Sequence, residues 1–515
     1  MKNLRDSSNF YSIIGISMGD EGKGRVVHEI LDQSEKISGS PPASVIKVNG
    51  GANAGHTAAG LKLNLLPSGV GNPNVNKLII GSGVVADPRK FLWEAIPLEK
   101  RGIRVLDRLI IDEKTQVSDL THRLLDLSWE DYRVKQLGME KRGSTGRGIS
   151  PAYSDETGQW QIFYHYFTED RSEFRNILHQ RVKRAMDTIQ HVCKVSEQDW
   201  NNFFQTLTTA EKNANIESIN SGVFCESEFD FEVFRGSTPF SLNIDLLEDV
   251  YWNAGQRLVH TIRDIRDEIL TDVRKNKVIV AEFGQAYWLD KRHGFTPNVT
   301  ASHTTSPELF LSTGIPAQEV TTVGCCKAYD TKVGTHHFIT QIDHLSHSLG
   351  KKLAKLEFGT STGRQRMVGW FDAVEKGNAL RYGGFDQIVI NKLDALSIGE
   401  LNDEQMLKIC TGYKMITGEK ILQVPRRESL RKKLEPIYEL LPSWKEDISG
   451  ISSFDDLPVE AKKYVSRMLS SIFEVAYPEG FENEKLPKLR FIGVGPDPGQ
   501  IITELPSTLD LIKGN

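Results

Sequence analysis

Disulfide chemistry has almost no footing in this chain. Five cysteines (Cys193, Cys225, Cys325, Cys326 and Cys410) are spread over 515 residues. Their number is odd, no CxxC pair occurs, and the neighbours Cys325 and Cys326 cannot supply zinc-finger spacing. Free buried thiols in a reducing compartment are the reading that follows. Long hydrophobic runs are missing too. No stretch approaches the roughly 18 apolar residues needed to cross a bilayer, and MKNLRDSSNFYSIIGIS carries too short an apolar run for a signal peptide, with no cleavage pattern after it. A soluble, cytoplasmic protein with no membrane contact is expected. Excess positive charge is also lacking: 63 Lys plus Arg stand against 68 Asp plus Glu, a net charge of −5. General nucleic-acid binding needs a strongly cationic surface and is excluded on that ground, whereas a small phosphorylated ligand needs only a few local cations.

Internal repeats, low-complexity tracts and Pro/Ser linkers are absent as well. Length alone would suggest about three or four domains of ~150 residues, but large α/β enzymes exceed that rule. One elaborated domain over 1–515 is the expected organisation.

What is present is a series of short apolar runs ending in glycine-rich turns: Tyr11–Ile16, Val45–Val48, Lys77–Ile80, Val278–Ala281, Gln387–Ile390 and Arg490–Val494. Runs of this length, rich in β-favouring residues, read as buried strands. Polar loops or helical patterns follow most of them, which predicts an α/β fold with a largely parallel central sheet. Ligands then gather outside the carboxyl ends of the strands, where the unusual glycine-rich segments lie. Two stretches, about 160–275 and 400–485, are charged and aromatic and are expected to form peripheral helical inserts or layers.

The first run leads into Gly19-Asp20-Glu21-Gly22-Lys23-Gly24-Arg25, followed by Val26, Val27, Ile30 and Leu31 at helical spacing. Strand, glycine loop, lysine and helix is the physical recipe for a phosphate cradle: backbone N–H groups converge, the helix N-terminus favours negative charge and lysine adds a point charge. The stretch falls short of GxxxxGK[ST], and an ordinary turn with a solvated lysine would look the same. Asp20 shifts the balance, because an anion inside a phosphate cradle repels its ligand unless it binds a metal or takes a proton. A helix N-cap is the alternative for Asp20. The second run leads into NGGANAGHT (49–57), whose small residues let a substrate approach the backbone and leave His56 little surrounding bulk. After Gln387–Ile390 comes Asn391-Lys392-Leu393-Asp394. Its carboxylate can accept both N1–H and N2–H of guanine, a pairing adenine cannot offer; a strand-end loop with exposed Lys and Asp is the plain alternative.

GDEGKGR and NGGANAGHT together resemble the two leading signatures of the adenylosuccinate synthetase family. Further matches follow in the family's order: NLLPSGV (64–70), GSGVVADP (81–88), GSTGRGISPAYSDE (143–156), EFGQAYWLDKRHGFTPNVTASHTT (282–305), KAYDTKVG (327–334), EFGTSTGRQRMVGWFDA (357–373), NKLDAL (391–396) and VGPDPGQII (494–502). The resemblance implies a P-loop-like GTP site and a ligase. The enzyme would join L-aspartate to C6 of IMP through a 6-phosphoryl intermediate, with Mg²⁺, giving adenylosuccinate, GDP and phosphate. It implies Asp20 as base and metal ligand, His56 and Lys23 as catalytic partners, and the main-chain oxygens of Gly19 and Gly55 as further metal ligands. GTP would contact Glu21, Gly22, Lys23, Gly24, Arg366, Lys392, Asp394 and Gly495. The purine nucleotide would contact Asn53, Ser144, Thr145, Gln285 and Thr300, and aspartate would contact Val333, Ser361, Thr362 and Arg364. Homodimerisation is implied too.

Departures from the family pattern mark a divergent, enlarged branch. Gln159 stands where an arginine usually crosses the dimer interface to the nucleotide phosphate. Ser361 replaces a threonine, Gly493 a serine and Ala52 a histidine. A related phage-type group acts on (d)GMP to make 2-aminoadenylosuccinate and carries a small residue in place of the catalytic aspartate; retention of Asp20 favours IMP or dIMP. A nucleotide-sensing paralogue with little turnover, or a plain GTPase using water, are the other readings. Both leave part of the Asp20, Lys23, His56 and Arg364 set without a role.

Overall fold

The computed structural model describes residues 8–39, 41–53, 55–58, 60–333, 337–357, 365–399, 406–481 and 485–513. Its centre is a ten-stranded sheet. In chain order the strands are β1 (Phe10–Gly15), β2 (Ser44–Lys47), β3 (Lys77–Ile80), β4 (Leu109–Asp112), β5 (Ile262–Arg263), β6 (Ile279–Ala286), β7 (Thr321–Lys327), β8 (Gln387–Asn391), β9 (Lys488–Gly493) and β10 (Ile501–Ile502). Across the sheet they run β10-β9-β8-β7-β1-β6-β2-β3-β4-β5. Every neighbouring pair is parallel except β9 with β10. The six strands expected from the apolar runs all lie in this sheet.

Alternation along each strand splits the core into two layers, as a period of two requires. Ile14, Ile46, Ile79 and Cys326 belong to one cluster, while Ile13, Val45, Leu78 and Cys325 belong to the other. Cys325 and Cys326 thus face opposite sides of the sheet. Four of the five cysteines are buried, Cys225 is exposed, and all are free thiols. From the middle of the sheet, β1 connects towards β2 on one side, while β6 crosses back to β7 on the other. The crevice beyond the carboxyl ends of β1, β6 and β7 is therefore the topological switch point where such sheets bind ligands.

One face is covered by α1 (Lys23–Ser38), α2 (Leu120–Lys135), α4 (Arg171–Asp187), α5 (Glu197–Ala214) and α6 (Ile244–Gln256), while α3 (Ile149–Thr157) forms a small separate cluster with Val85. Glu211 of α5 is fully buried, 2.9 Å from Arg123 of α2, paired with Arg147 and 3.7 Å from Lys90. The region 400–485, expected to be helical, corrects that expectation. Its strands Met406–Lys414 and Glu435–Pro442 pair antiparallel, with Lys420–Ile421 joining the same small sheet. This sheet packs on α7 (Ala373–Gly383) and α8 (Val459–Ala476), α8 being the long helix there. The physical reason is that burial along MLKICTGYK alternates only over its first residues and changes phase at an irregularity between Cys410 and Gly412, so no clean period of two shows in the sequence. Among the described residues no helix is long and apolar enough to cross a membrane.

Candidate active site

Two carboxyl-end turns, after β1 and after β2, build the centre of the site. After β1 the chain bends through a loop that ends at Gly22, whose φ of 76° lies in the left-handed region, and α1 begins at Lys23. Asp20 therefore precedes the helix by three residues and is not its N-cap; Gly22 holds that position with no side-chain bond. The unsatisfied N–H groups of the first turn of α1 face the loop and favour an anion. The Glu21 side chain is committed within the loop. Its carboxylate turns inward, accepts the Gly19 N–H at 2.6 Å and meets Lys23 Nζ at 2.8 Å. A Cβ on Gly15 would lie 2.1 Å from Glu21 Oε2, so the sheet admits this buried carboxylate only because residue 15 is glycine. Only the main chain of Glu21 is left for a nucleotide. Lys23 Nζ also donates to the Gly19 carbonyl at 3.2 Å.

Asp20 points the other way. Lys327 Nζ, at the end of β7, donates to its Oδ2 at 2.9 Å, and Arg366 Nη1 pairs with the same oxygen. Burial alone would raise the Asp20 carboxyl, but Lys327 and Arg366 outweigh it and hold the group well below the ordinary carboxylate range.

After β2, Asn49 pins the second turn. It donates to Ser302 Oγ and the His303 carbonyl at 2.9 Å and accepts the Gly284 N–H at 2.8 Å. Gly51 approaches so closely that a Cβ would lie 2.4 Å from the Val85 carbonyl oxygen. Asn53 Oδ1 accepts the Gly51 N–H at 3.2 Å. His56 opens a short strand, with Nε2 3.7 Å from Glu282 Oε1 on β6. Glu282 is itself fixed by the N–H and hydroxyl of Ser68, at 2.8 and 2.6 Å. Burial would raise Glu282, yet His56 and Lys47 leave it below its usual range.

These turns enclose a cavity of about 700 Å³. Gly19, Asp20, Glu21, Gly22, Lys23 and Gly24 line one part, and Asn53, Gly55 and His56 another, so the aspartate and the histidine share one space. Ser144, Thr145, Gln285, Thr300, Val333 and Arg366 complete the match with the expected residues. Ser144 Oγ is already committed to Asp126, at 2.6 Å. Gln285 is the most telling of the set: its φ is 60°, a strained value for glutamine, and both amide atoms are buried with no partner among the described residues. Ser361, Thr362 and Arg364 lie outside the described residues.

Lys392, Asp394 and Gly495 lie beyond the cavity wall, around the first turn of α1. Asn391 Nδ2 donates to the Glu21 carbonyl at 2.7 Å and so ties the end of β8 to the loop. Lys392, with φ of 59°, reaches Glu357 at 2.7 Å. Asp394 Oδ1 is buried without a hydrogen-bond partner among the described residues, and burial pushes its carboxyl up. Arg25 donates to the carbonyls of Gly495 and Gln500, the latter at 2.7 Å. A Cβ on Gly493 would lie 2.9 Å from Asn391 Oδ1, so the serine that the resemblance leads one to expect would crowd that amide.

This arrangement goes with a family. A family-wide profile described as adenylosuccinate synthetase matches residues 12–230 and 228–477. The chain belongs to the adenylosuccinate synthetase family. The adenylosuccinate synthetase of Desulforamulus reducens is 32% identical over 464 residues, covering 89% of this chain and 92% of that protein. That of Geobacter sulfurreducens is 31% identical over 464 residues, covering 88% and 92%. The fully ligated adenylosuccinate synthetase structure from Plasmodium falciparum superposes with a TM-score of 0.75 at 26% identity, over 96% of this chain and 100% of that one. Adenylosuccinate synthetases are ligases, and this chain shares their fold.

Two residues that sequence reasoning left without a role join the site. Lys327 closes the buried strand TTVGCCK; a lone cation at the carboxyl end of a core strand was the available signal. Glu357, fully buried, opens the matched segment EFGTSTGRQRMVGWFDA, but its partners are scattered along the chain and gave its role no signal.

Proposed function

We propose that this protein is a GTP-dependent ligase that joins L-aspartate to C6 of IMP through a 6-phosphoryl intermediate, releasing adenylosuccinate, GDP and phosphate. The observation that carries the reading is the shared cavity: Asp20, His56 and the N-terminal turn of α1 bound one space of about 700 Å³. Oxygen at purine C6 is a poor leaving group. Asp20 removes the N1 proton, the electron pair reaches O6, and O6 attacks the γ-phosphorus of GTP, whose bond to the β–γ bridging oxygen breaks so that GDP leaves. Lys23 and Arg366 offset charge on the transferring oxygens, and His56, steadied by Glu282, hydrogen-bonds to the phosphoryl group. The amine of aspartate then adds to C6 and phosphate departs. Asp20 is held ionised by Lys327 and Arg366, so at least one of those contacts loosens before the carboxylate takes a proton.

Asp394 Oδ1, buried with no hydrogen-bond partner among the described residues, supports guanine recognition, since the carboxylate would be satisfied by N1–H and N2–H. Gln285, whose buried amide has no partner among the described residues, suits the edge of the purine monophosphate. Asp20, Gly19 and Gly55 offer only oxygen donors, the chemistry Mg²⁺ prefers, and the pairing of Asp20 with two cations marks a position that draws positive charge. Bound there, Mg²⁺ supplies neutralising charge at phosphate oxygens. Assembly as a homodimer belongs to the same reading and is tested by light scattering after size exclusion.

Phosphate release with GTP and aspartate, offered IMP, dIMP, GMP and dGMP in turn, tests the reading, with product masses taken from each reaction. Release and adduct formation strongest with IMP or dIMP support it. Activity only with GMP or dGMP replaces the substrate, and phosphate release indifferent to nucleotide and aspartate overturns the ligase.

A further inference from the structure

Glu357 lies at the end of the helix Ser348–Leu356, and none of its carboxylate is exposed to solvent. Three cations converge on it from three different parts of the chain. Lys327 Nζ donates to both oxygens at 3.0 Å, Arg366 Nη1 to Oε2 at 3.0 Å and Lys392 Nζ to Oε1 at 2.7 Å. The Tyr329 hydroxyl donates to Oε1 as well. The main chain adds rigidity, since the Arg366 N–H and Gln365 Nε2 both donate to the Glu357 carbonyl, at 3.1 and 2.8 Å.

The destinations of the three cations are what matter. Lys392 belongs to the strand-end turn that carries Asp394. Arg366 and Lys327 both reach the Asp20 carboxylate. One buried anion therefore holds the guanine-side turn, the cavity-side guanidinium and the partner of the proposed base as a single set. Three cations face two carboxylates here, so one positive charge is left over for an arriving phosphate. If Arg366 leaves Asp20 for a phosphoryl oxygen, Glu357 keeps it paired and no buried charge is stranded. That lowers the cost of the exchange.

We propose that Glu357 is a positioning residue for GTP, holding Lys327, Arg366 and Lys392 in the arrangement the triphosphate meets and coupling the guanine-side turn to Asp20. The coupling to Asp20 rests on the ligase reading; the effect on GTP does not.

The test compares wild type with Glu357→Gln and Glu357→Asp, measuring GTP affinity by calorimetry and the separate KM values for GTP and IMP. Glu357→Gln keeps the shape and removes the charge. It is expected to weaken GTP binding by about tenfold or more, the effect of losing charge-assisted hydrogen bonds, while the KM for IMP stays within about threefold. Glu357→Asp restores the charge and is expected to recover part of the loss. GTP affinity of Glu357→Gln within twofold of wild type would overturn the proposal. So would an equal loss for both nucleotides that tracks a lowered melting temperature and is shared by Glu357→Asp. Should Glu357→Gln not fold, Tyr329→Phe decides: it removes one donor to the carboxylate, and weaker GTP binding with IMP unaffected supports the role, whereas unchanged GTP binding contradicts it. If wild type formed no aspartate-dependent product, the ligase reading would fall, and the GTP affinities would still decide the role of Glu357.

Discussion

Asp20 and Lys327 stand 307 residues apart in the chain and meet with Oδ2 2.9 Å from Nζ, at the carboxyl ends of the adjacent strands β1 and β7. The contact holds the proposed base over the cavity while keeping it ionised. Asp20→Asn keeps the shape and removes the basicity. Phosphate release with GTP, IMP and aspartate is expected to fall by about a thousandfold or more. The melting temperature, followed by circular dichroism, is expected to change little, because Glu357 still pairs Lys327 and Arg366. Full activity in that variant would remove Asp20 from the mechanism.

His56 and Glu282 form the second pair. His56→Asn is expected to lower kcat by about a hundredfold or more, the scale of one lost donor to a developing phosphoryl charge. Glu282→Gln, acting on the chemistry through the imidazole, is expected to cost about tenfold. Steady-state kinetics of the two single variants and the double variant check the link: if Glu282 acts through His56, its substitution adds little once His56 is gone.

Asp394 predicts base selectivity. Asp394→Asn replaces a double acceptor with a group that donates, so the KM for GTP is expected to rise by about a hundredfold. Xanthosine triphosphate, whose C2 oxygen accepts where guanine donates, is expected to become the better substrate. Competition between the two nucleotides in one assay reads the change directly.

Acid stability follows from Asp119, which caps α2 and pairs with Arg181 at 2.9 Å. Burial works to raise its carboxyl, but His122 and Arg181 bring it down from 3.8 to about 2. A depressed folded-state value means the contribution is fully present above the unfolded pKa near 4. It is lost as pH falls from there towards 2. Its size is on the order of 2 kcal/mol. Urea unfolding of wild type and Asp119→Asn across that window is expected to show the variant with the shallower pH dependence.

The contiguous parts of this architecture were legible from the chain. Short apolar runs marked six of the ten sheet strands, and the loops after β1 and β2 announced themselves by glycine and small residues. Strand β7 was hidden, since TTVGCCK spreads its burial over threonine, glycine and cysteine. The small sheet in 406–442 was hidden by lysines that sit at its half-buried and exposed positions. Within the site, a motif can name Asp20 or Asp394 because its neighbours in sequence share the task. The partners that set the charge on Asp20 come from Lys327 and Arg366, and their convergence on Glu357 is a property of the folded sheet alone. The inward turn of the Glu21 side chain, spent inside the loop, is likewise a detail the motif does not carry.

The most direct measurement follows one oxygen atom. IMP carrying ¹⁸O at O6 is incubated with GTP, Mg²⁺ and aspartate, and the released phosphate is weighed by mass spectrometry. Transfer of the label into phosphate is the predicted result, because O6 attacks the γ-phosphorus and leaves with it. Unlabelled phosphate would mean that water is the acceptor, and would contradict the account.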